Sequence, residues 1–532
     1  MKLPWFSGSE ETLISTAQDS ASTPKAPPLD ATIPPALPGR ARTLVLCFDG
    51  TGDKDDTDRT NVVELKVMLK VAEEEQLVYY QQGIGTYTPR IPGVKEPMKI
   101  PGVSYLSEEW DKATAWSLRR HVIGEQAYLW LVDHYTPGDK ICMFGFSRGS
   151  YTARALAGML FKVGLLPKEH RKEADAAFES YKVAETKEGW EHSRAFQKVL
   201  ECRKVSIEFL GCWDTVNSVG YWTTKSLPFT AYNPMVRVFR HAVALDERRA
   251  KFRTNLWSPN NKILTGTDDS DLSDYQKVVK NFVEEQSKGL PTTHVDEVWF
   301  SGCHCDIGGG AVLNGTKPNL AHISLRWMIR QCFMQNTGIM FLNDKLETFH
   351  LSPDSLYPKV KDRPSPVAMK GNKIQPPTRL GPIDTVKGWV TYLNPFRPAS
   401  VVPRTVPRPK NEEEADGIDA LAPIYDMLDI KPQMWLIFEN MPLKVYDIKL
   451  GKYVYKKFNK LPRSLRGPIF VDFAKKVTTQ ARVRVHRTVL ARMNALHADG
   501  SPYVPRALFP DKKAISLDAG LTGNESNFEW VD

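Results

Sequence analysis

The sequence predicts an α/β fold, a mostly parallel sheet covered by helices on both faces. Five short apolar runs have the length of strands and little polar alternation: TLVLCF (43–48), QLVYY (76–80), KICMFG (140–145), SIEFLG (206–211) and EVWFSG (297–302). Segments with helical spacing separate them, and near-continuous apolar strands alternating with helices are the mark of a sheet buried on both sides. A third observation concerns chemistry. Four of the runs lead directly into reactive polar residues, in DGTGD, FSRG, CWDT and CHCDIGGG. Parallel strands share one carboxyl edge, and ligands of open α/β sheets bind there.

In chain order, residues 1–40 are rich in Pro, Ser, Thr and Ala and are expected to form a disordered arm. The catalytic-type domain is expected over 41–337. Its first strand, 43–48, is followed by the helical pattern NVVELKVMLKVAEE, with Val62, Leu65, Leu69 and Val71 near one face. The second strand is 76–80. A helix in ATAWSLRRHVIGEQAYLWLVDHY (113–135) precedes the third strand, and TARALAGMLFKVG (152–164) follows it with Ala153, Leu156, Ala157 and Leu160 at helical spacing. The fourth strand is 206–211. The interval to the fifth is long for a strand-to-strand link, so a cap-like insertion is expected at about 215–296, through HAVALDERRAKF. Residues 338–532 are expected to form a helical C-terminal extension with a Pro-rich loop at about 375–416.

Bulk composition narrows the function classes. The chain has 532 residues, 42% of them hydrophobic, and a formal net charge of +9. That balance suits contact with an anionic surface such as phospholipid, and nothing points to nucleic acid. Seven cysteines with no C-x-x-C spacing argue against a disulfide framework and for a reducing compartment. The N-terminus has no apolar core of a signal peptide, and no run reaches the length needed to span a bilayer. A cytoplasmic protein, peripheral to membranes at most, is expected.

Gly145-Phe146-Ser147-Arg148-Gly149 fits G-x-S-x-G between a strand and a helix, the pattern of a nucleophile elbow. The turn is so sharp that positions 145 and 149 must be small. The helix that follows aims its first amides at the serine, and the Arg148 N–H is placed to meet a developing oxyanion. A serine needs a base, and in hydrolases of this architecture the order is serine, acid, histidine. Asp214 after the fourth run and His304 after the fifth satisfy that order. Asp306 is a rival acid, and His241 and His486 are weaker candidates for the base. Gly308, Gly309 and Gly310 are expected to let the histidine loop approach the serine.

The loop after the first strand offers Gly50, Thr51 and Gly52 as a second source of an oxyanion amide, fixed by Asp49. Two rival readings of this loop are weaker. An aspartyl-phosphatase motif D-x-D-G-T would need an aspartate where Cys47 stands. A calcium loop would use Asp53, Asp55, Thr57, Asn61 and Glu64, but Asp58 occupies its glycine position; a looser divalent site at 53–58 stays open. Cys303, His304 and Cys305 lack the second ligand pair of a structural zinc site. The triad reading requires no metal and no cofactor.

Taken together, LVLCFDGTGD with TNVV, GFSRGSYTARALAGML, FLGCWDTVNSVG, HAVALDERRAKF and VWFSGCHCDIGGG resemble the α/β-hydrolase domain family that includes type VI secretion phospholipase effectors and uncharacterised fungal proteins. The resemblance runs from about residue 42 to 330, and VHRTVLARM with YVPRAL is similar to the tail of fungal-type members. It implies an α/β-hydrolase fold with Ser147, Asp214 and His304 as a triad, and cleavage of acyl esters of phospholipids. The alternatives are a non-catalytic lipid- or peptide-binding domain on the same fold and a metal-assisted phosphoester hydrolase.

Overall fold

The computed structural model describes residues 31–36, 39–50, 58–83, 127–182, 187–216, 227–259, 272–365, 370–377, 408–430, 439–440, 443–447, 452–457, 459–472, 477–516 and 528–532. Eight strands form one sheet: β1 (Thr43–Phe48), β2 (Gln76–Gln81), β3 (Lys140–Phe146), β4 (Ile207–Trp213), β5 (Val236–Ala244), β6 (His294–Phe300), β7 (Val483–His486) and β8 (Phe528–Val531). Their spatial order is β8-β7-β6-β5-β4-β3-β1-β2. Every neighbouring pair runs parallel.

The pleat of β1 explains the two-sided core. Leu44, Leu46 and Phe48 join one apolar cluster, with Leu131 of α2 (Ala127–His134), Leu156 and Leu160 of α3 (Arg148–Lys162), and Phe282 of α4 (Asp274–Ser287). Val45 and Cys47 point the other way. They meet Val62 and Leu65 of α1 (Asn61–Met68), and Leu325 and Met328 of a later helix at Ala321–Met334. Period-2 burial on both faces accounts for the continuous apolar runs in the sequence.

Strand order reverses between β1 and β3, since β2 lies to one side of β1 and β3 to the other. Such a switch point opens a crevice at the carboxyl ends of the strands. Asp49 and Gly50 follow β1 there, and Ser147 follows β3.

Three expectations are corrected. HAVALDERRAKF is not a cap: His241–Ala244 belong to β5 in the middle of the sheet. Its polar residues hid the strand, because Arg240 and His241 are buried by pairing with Gln331 and Glu297 rather than exposed. The C-terminal extension is not simply helical, and the sheet does not end at 337, because β7 and β8 extend it beyond β6. The arm is not wholly irregular either. Thr32 and Ile33 pair antiparallel with Leu342 and Phe341, where Ile33 gains apolar burial. Residues 1–30, most of the 113–135 segment and most of the 375–416 loop lie outside the described residues. Among the described residues, no helix is long and apolar enough to cross a membrane.

Candidate active site

Ser147 sits at the turn from β3 into α3 with φ 58° and ψ −121°, a strained conformation for a residue with a side chain. The flanking glycines make it achievable. A Cβ on Gly145 would lie 2.6 Å from backbone atoms of Ser150, and one on Gly149 would lie 2.2 Å from the Phe48 carbonyl oxygen. Ser150 Oγ donates to the Gly145 carbonyl at 2.5 Å and to the Trp213 carbonyl at 3.1 Å, which closes the turn. The Ser147 N–H donates to the same Trp213 carbonyl at 3.0 Å, tying the end of β3 to that of β4.

Asp214, one residue past β4, also has positive φ, 39°. Its N–H donates to the Ala242 carbonyl at 2.8 Å, and its Oδ1 accepts from the Ala244 N–H at 3.0 Å. His241 holds the next residue: its Nε2 accepts from the Thr215 N–H at 3.0 Å, and its Nδ1 lies 2.9 Å from Glu297 Oε1. Both of its ring nitrogens are therefore engaged away from Ser147. His486 lies against Phe300 and Thr488 instead.

His304 opens a five-residue helical turn, His304–Gly308, after β6. Its Nε2 is 2.7 Å from Ser147 Oγ and its Nδ1 is 2.6 Å from Asp214 Oδ2. The predicted serine, acid and histidine thus form one hydrogen-bonded line across three strand ends. All three side chains are buried. The imidazole lies between Phe146 and Phe252, at ring-centroid distances of 4.7 and 4.8 Å.

The loop carrying His304 is anchored from several sides. Glu247 Oε2 accepts from the His304 N–H at 3.2 Å while both its oxygens pair with Arg249. Asp246 Oδ2 accepts from the Gly302 N–H at 2.7 Å. Asn61 Nδ2 donates to the Ile307 carbonyl at 2.9 Å, which gives the asparagine of TNVV a role. Asp306 does not reach the imidazole. Its Oδ2 accepts from the N–H groups of Cys303 and Tyr425, at 2.8 and 3.0 Å. A Cβ on Gly308 would lie 2.0 Å from the Phe146 ring, and one on Gly309 2.7 Å from Thr60 Cα. These glycines pack the loop against the elbow and the start of α1 rather than against Ser147 itself.

Asp49 is pinned, as expected, but with a consequence for Gly50. Its Oδ1 accepts from the Gly50 N–H at 2.7 Å and from Thr60 Oγ1 at 2.6 Å, and its Oδ2 accepts from Tyr80 Oη at 2.7 Å. The Gly50 amide is thereby occupied within its own turn. Thr51 and Gly52 lie outside the described residues, as do Asp53, Asp55 and Thr57. Arg148 is the first residue of α3, so its N–H belongs to the helix start beside Ser147.

The electrostatics favour a neutral imidazole beside an ionised carboxylate. Burial is the largest influence on His304 and lowers its pKa; the hydrogen bond and charge of Asp214 oppose this without reversing it. For Asp214, burial acts to raise the pKa. The charge of Arg463, with hydrogen bonds from His304 and Arg463, outweighs burial and holds the carboxyl well below the usual range. Asp306, in contrast, is pushed up to about 7 by burial. In this state His304 Nδ1–H donates to Asp214, and Nε2 accepts from the serine hydroxyl.

Arg463 is a partner of this centre that the sequence analysis does not single out, as are Glu247 and Phe252. It lies in KLPRSLRG of the C-terminal extension and is 2% exposed. Its Nη1 donates to Asp214 Oδ1 at 2.5 Å and its Nη2 to Asp214 Oδ2 at 2.9 Å. A basic residue in a basic stretch reads as solvated surface, and only its partner far along the chain distinguishes it.

Comparison with known proteins places these features in context. The family model for the T6SS phospholipase effector Tle1-like catalytic domain matches residues 42–331. The uncharacterized protein YEL023C of Saccharomyces cerevisiae is 36% identical over 234 residues, 41% of this chain and 33% of that protein. The chain therefore spans about a third of the length of that curated relative. The crystal structure of an uncharacterized protein from Pseudomonas aeruginosa covers 59% of this chain and 49% of its own, with 16% identity and a TM-score of 0.33. The structure of the Tle1 effector bound to the VgrG spike of the type 6 secretion system covers 51% of each chain, with 20% identity and a TM-score of 0.24.

Proposed function

We propose that this chain, which belongs to the T6SS Tle1-like phospholipase effector catalytic-domain family, is a serine hydrolase that cleaves carboxylic esters through Ser147, His304 and Asp214. The observation that carries this reading is the continuous line from Ser147 Oγ to His304 Nε2 and from His304 Nδ1 to Asp214 Oδ2, at 2.7 and 2.6 Å.

The chemistry follows from the protonation states. His304 Nε2 takes the hydroxyl proton as Ser147 Oγ attacks the ester carbonyl carbon. Asp214 stays ionised and stabilises the imidazolium that forms. The carbonyl π electrons move to oxygen, and the Arg148 N–H at the start of α3 donates to that oxyanion. Collapse breaks the bond to the alcohol, which leaves with the proton from His304. Water, deprotonated by the same nitrogen, then attacks the acyl-serine. The carboxylic acid departs and Ser147 regains its proton.

A phospholipid is the substrate class we favour. The family description supports it, and so does a net charge of +9, suited to anionic lipid surfaces. The protein then acts at a membrane surface. The test compares wild type and Ser147→Ala on a soluble short-chain ester and on vesicles of phosphatidylcholine with and without phosphatidylserine. Both substrates should be hydrolysed by wild type alone, and vesicle hydrolysis should rise with phosphatidylserine and fall with salt, because charge attraction is screened. Turnover of the soluble ester without any vesicle hydrolysis would leave an esterase of small substrates. No turnover of either would remove the enzymatic reading.

A further inference from the structure

We infer that Arg463, outside the family-matched span of residues 42–331, is a positioning residue of the reaction centre: its guanidinium orients the Asp214 carboxylate and offsets its charge beside His304. This rests on the proposed triad and extends it.

The geometry has three parts. First, Arg463 meets Asp214 as a fork, Nη1 on Oδ1 and Nη2 on Oδ2, the arrangement that fixes the plane of a carboxylate as well as its place. Second, the same two nitrogens hold the backbone at the end of β5 and in the loop that follows it, whose Glu247 and Phe252 touch His304. Nη1 donates to the Ala244 carbonyl at 3.2 Å, and Nη2 to the Phe252 carbonyl at 2.5 Å. Phe252 is the ring that meets His304 edge-on. Third, both charges are held out of water. Arg463 is 2% exposed and Asp214 is fully buried. Without the arginine, the Asp214 side chain would keep, among the described residues, the Ala244 N–H and the imidazole.

The electrostatic consequence is a trade-off. A bare carboxylate beside an imidazole raises its affinity for a proton, and a base protonated at neutral pH cannot activate a serine. A cation on the far side of the carboxylate cancels part of that field. Other charged groups bear on the same centre. Arg249 lowers and Glu247 raises the proton affinity of His304, and these two pair with each other in the loop after β5. His241 of β5 lies near Asp214, and Arg253 near Arg463. Asp246 and Asp306 bind backbone amides around the His304 loop. Arg463 is the cation in direct contact with both oxygens of the Asp214 carboxylate, on the side away from His304's own contact to Oδ2.

The C-terminal extension reaches the site at other points, which explains how a residue so distant is held in place. The Tyr425 N–H donates to Asp306, Tyr503 Oη donates to Asp246 at 2.7 Å, and Arg248 and Arg506 both pair with Asp426. The Ala250 N–H donates to Glu439 at 2.7 Å, and the same carboxylate accepts from the Lys460 N–H, three residues before Arg463.

The test uses the full chain with Arg463→Met and Arg463→Lys, and a soluble short-chain ester. The readouts are kcat and KM across pH 5–9 and thermal unfolding. We expect Arg463→Met to lower kcat by more than tenfold with little change in KM. We expect it to move the acidic limb of kcat/KM to higher pH by about one unit, a tenfold gain in proton affinity. Arg463→Lys keeps the charge but not the fork, so the limb should stay while kcat falls several-fold. A folded Arg463→Met with the wild-type pH profile would overturn the proposal. Where Arg463→Met does not fold, Arg463→Lys decides: wild-type kcat contradicts the positioning role, and a shifted limb contradicts the charge role. Fluorophosphonate labelling separates this from the underlying reading. If Ser147 is not the nucleophile, the wild type itself is not labelled there; if only Arg463 is misassigned, wild type is labelled and its variants differ from it in nothing but stability.

Discussion

Asp214 holds His304 across the ends of two non-adjacent strands, with 2.6 Å between Oδ2 and Nδ1. Each group comes from a backbone whose conformation is unusual or tightly anchored. Asp214 has positive φ, and the His304 N–H donates to Glu247, a buried carboxylate that is itself paired with Arg249.

The first prediction follows from that contact. Asp214→Asn should lower kcat on the order of 10⁴-fold, because an amide no longer selects the tautomer with Nε2 free to accept. His304→Ala should cost at least as much. The double variant should be little worse than His304→Ala, since groups that act together are not additive. Steady-state kinetics of the three proteins check this, and additive losses would mean that the residues act separately.

The pH dependence has a definite sign. The base works when neutral, and burial lowers the pKa of His304. Its neutral form therefore persists below the ordinary histidine value of about 6.5. The acidic limb of kcat/KM should lie below that pH. A limb above 7 would mean that the Asp214 charge dominates over burial.

Asp306 separates a structural carboxylate from the proposed catalytic one. Asp306→Asn keeps an oxygen to accept from the N–H groups of Cys303 and Tyr425, so most turnover should survive. Stability should respond to pH. The folded pKa near 7 is raised above the unfolded value, so this site's contribution is complete at low pH and is lost as pH rises towards 7. The melting temperature of Asp306→Asn relative to wild type should accordingly increase between pH 4.5 and pH 8. A flat difference, or turnover as low as that of Asp214→Asn, contradicts this assignment.

Gly149→Ala tests the elbow. The added Cβ would stand 2.2 Å from the Phe48 carbonyl oxygen and 2.4 Å from that of Asp49, both backbone atoms with little room to yield. Overpacking of this kind costs about 1–3 kcal/mol or more. Urea denaturation should show the loss, together with reduced turnover. An unchanged midpoint would mean that the turn is looser than described.

Much of this arrangement is legible in the sequence, for a physical reason. Buried parallel strands need unbroken apolar runs, and 43–48 and 140–145 match β1 and β3 to within a residue. The elbow and the order of Ser147, Asp214 and His304 are local signals at strand ends. β5 escaped notice because Arg237, Arg240 and His241 interrupt its apolar character, and their partners are distant in sequence. β7 and β8 are only four residues each, too short to show a period. Arg463 gave no signal at all, since a buried ion pair is recognised only from both ends at once.

The most direct measurement is labelling of the purified full-length protein with a fluorophosphonate, followed by peptide mass spectrometry. Serine hydroxyls react with this reagent only when a base activates them. A single adduct on Ser147 is expected in the wild type, none in Ser147→Ala, and greatly slowed labelling in His304→Ala. An adduct elsewhere, persistence of labelling in Ser147→Ala, or an unlabelled wild-type protein that hydrolyses esters would contradict this.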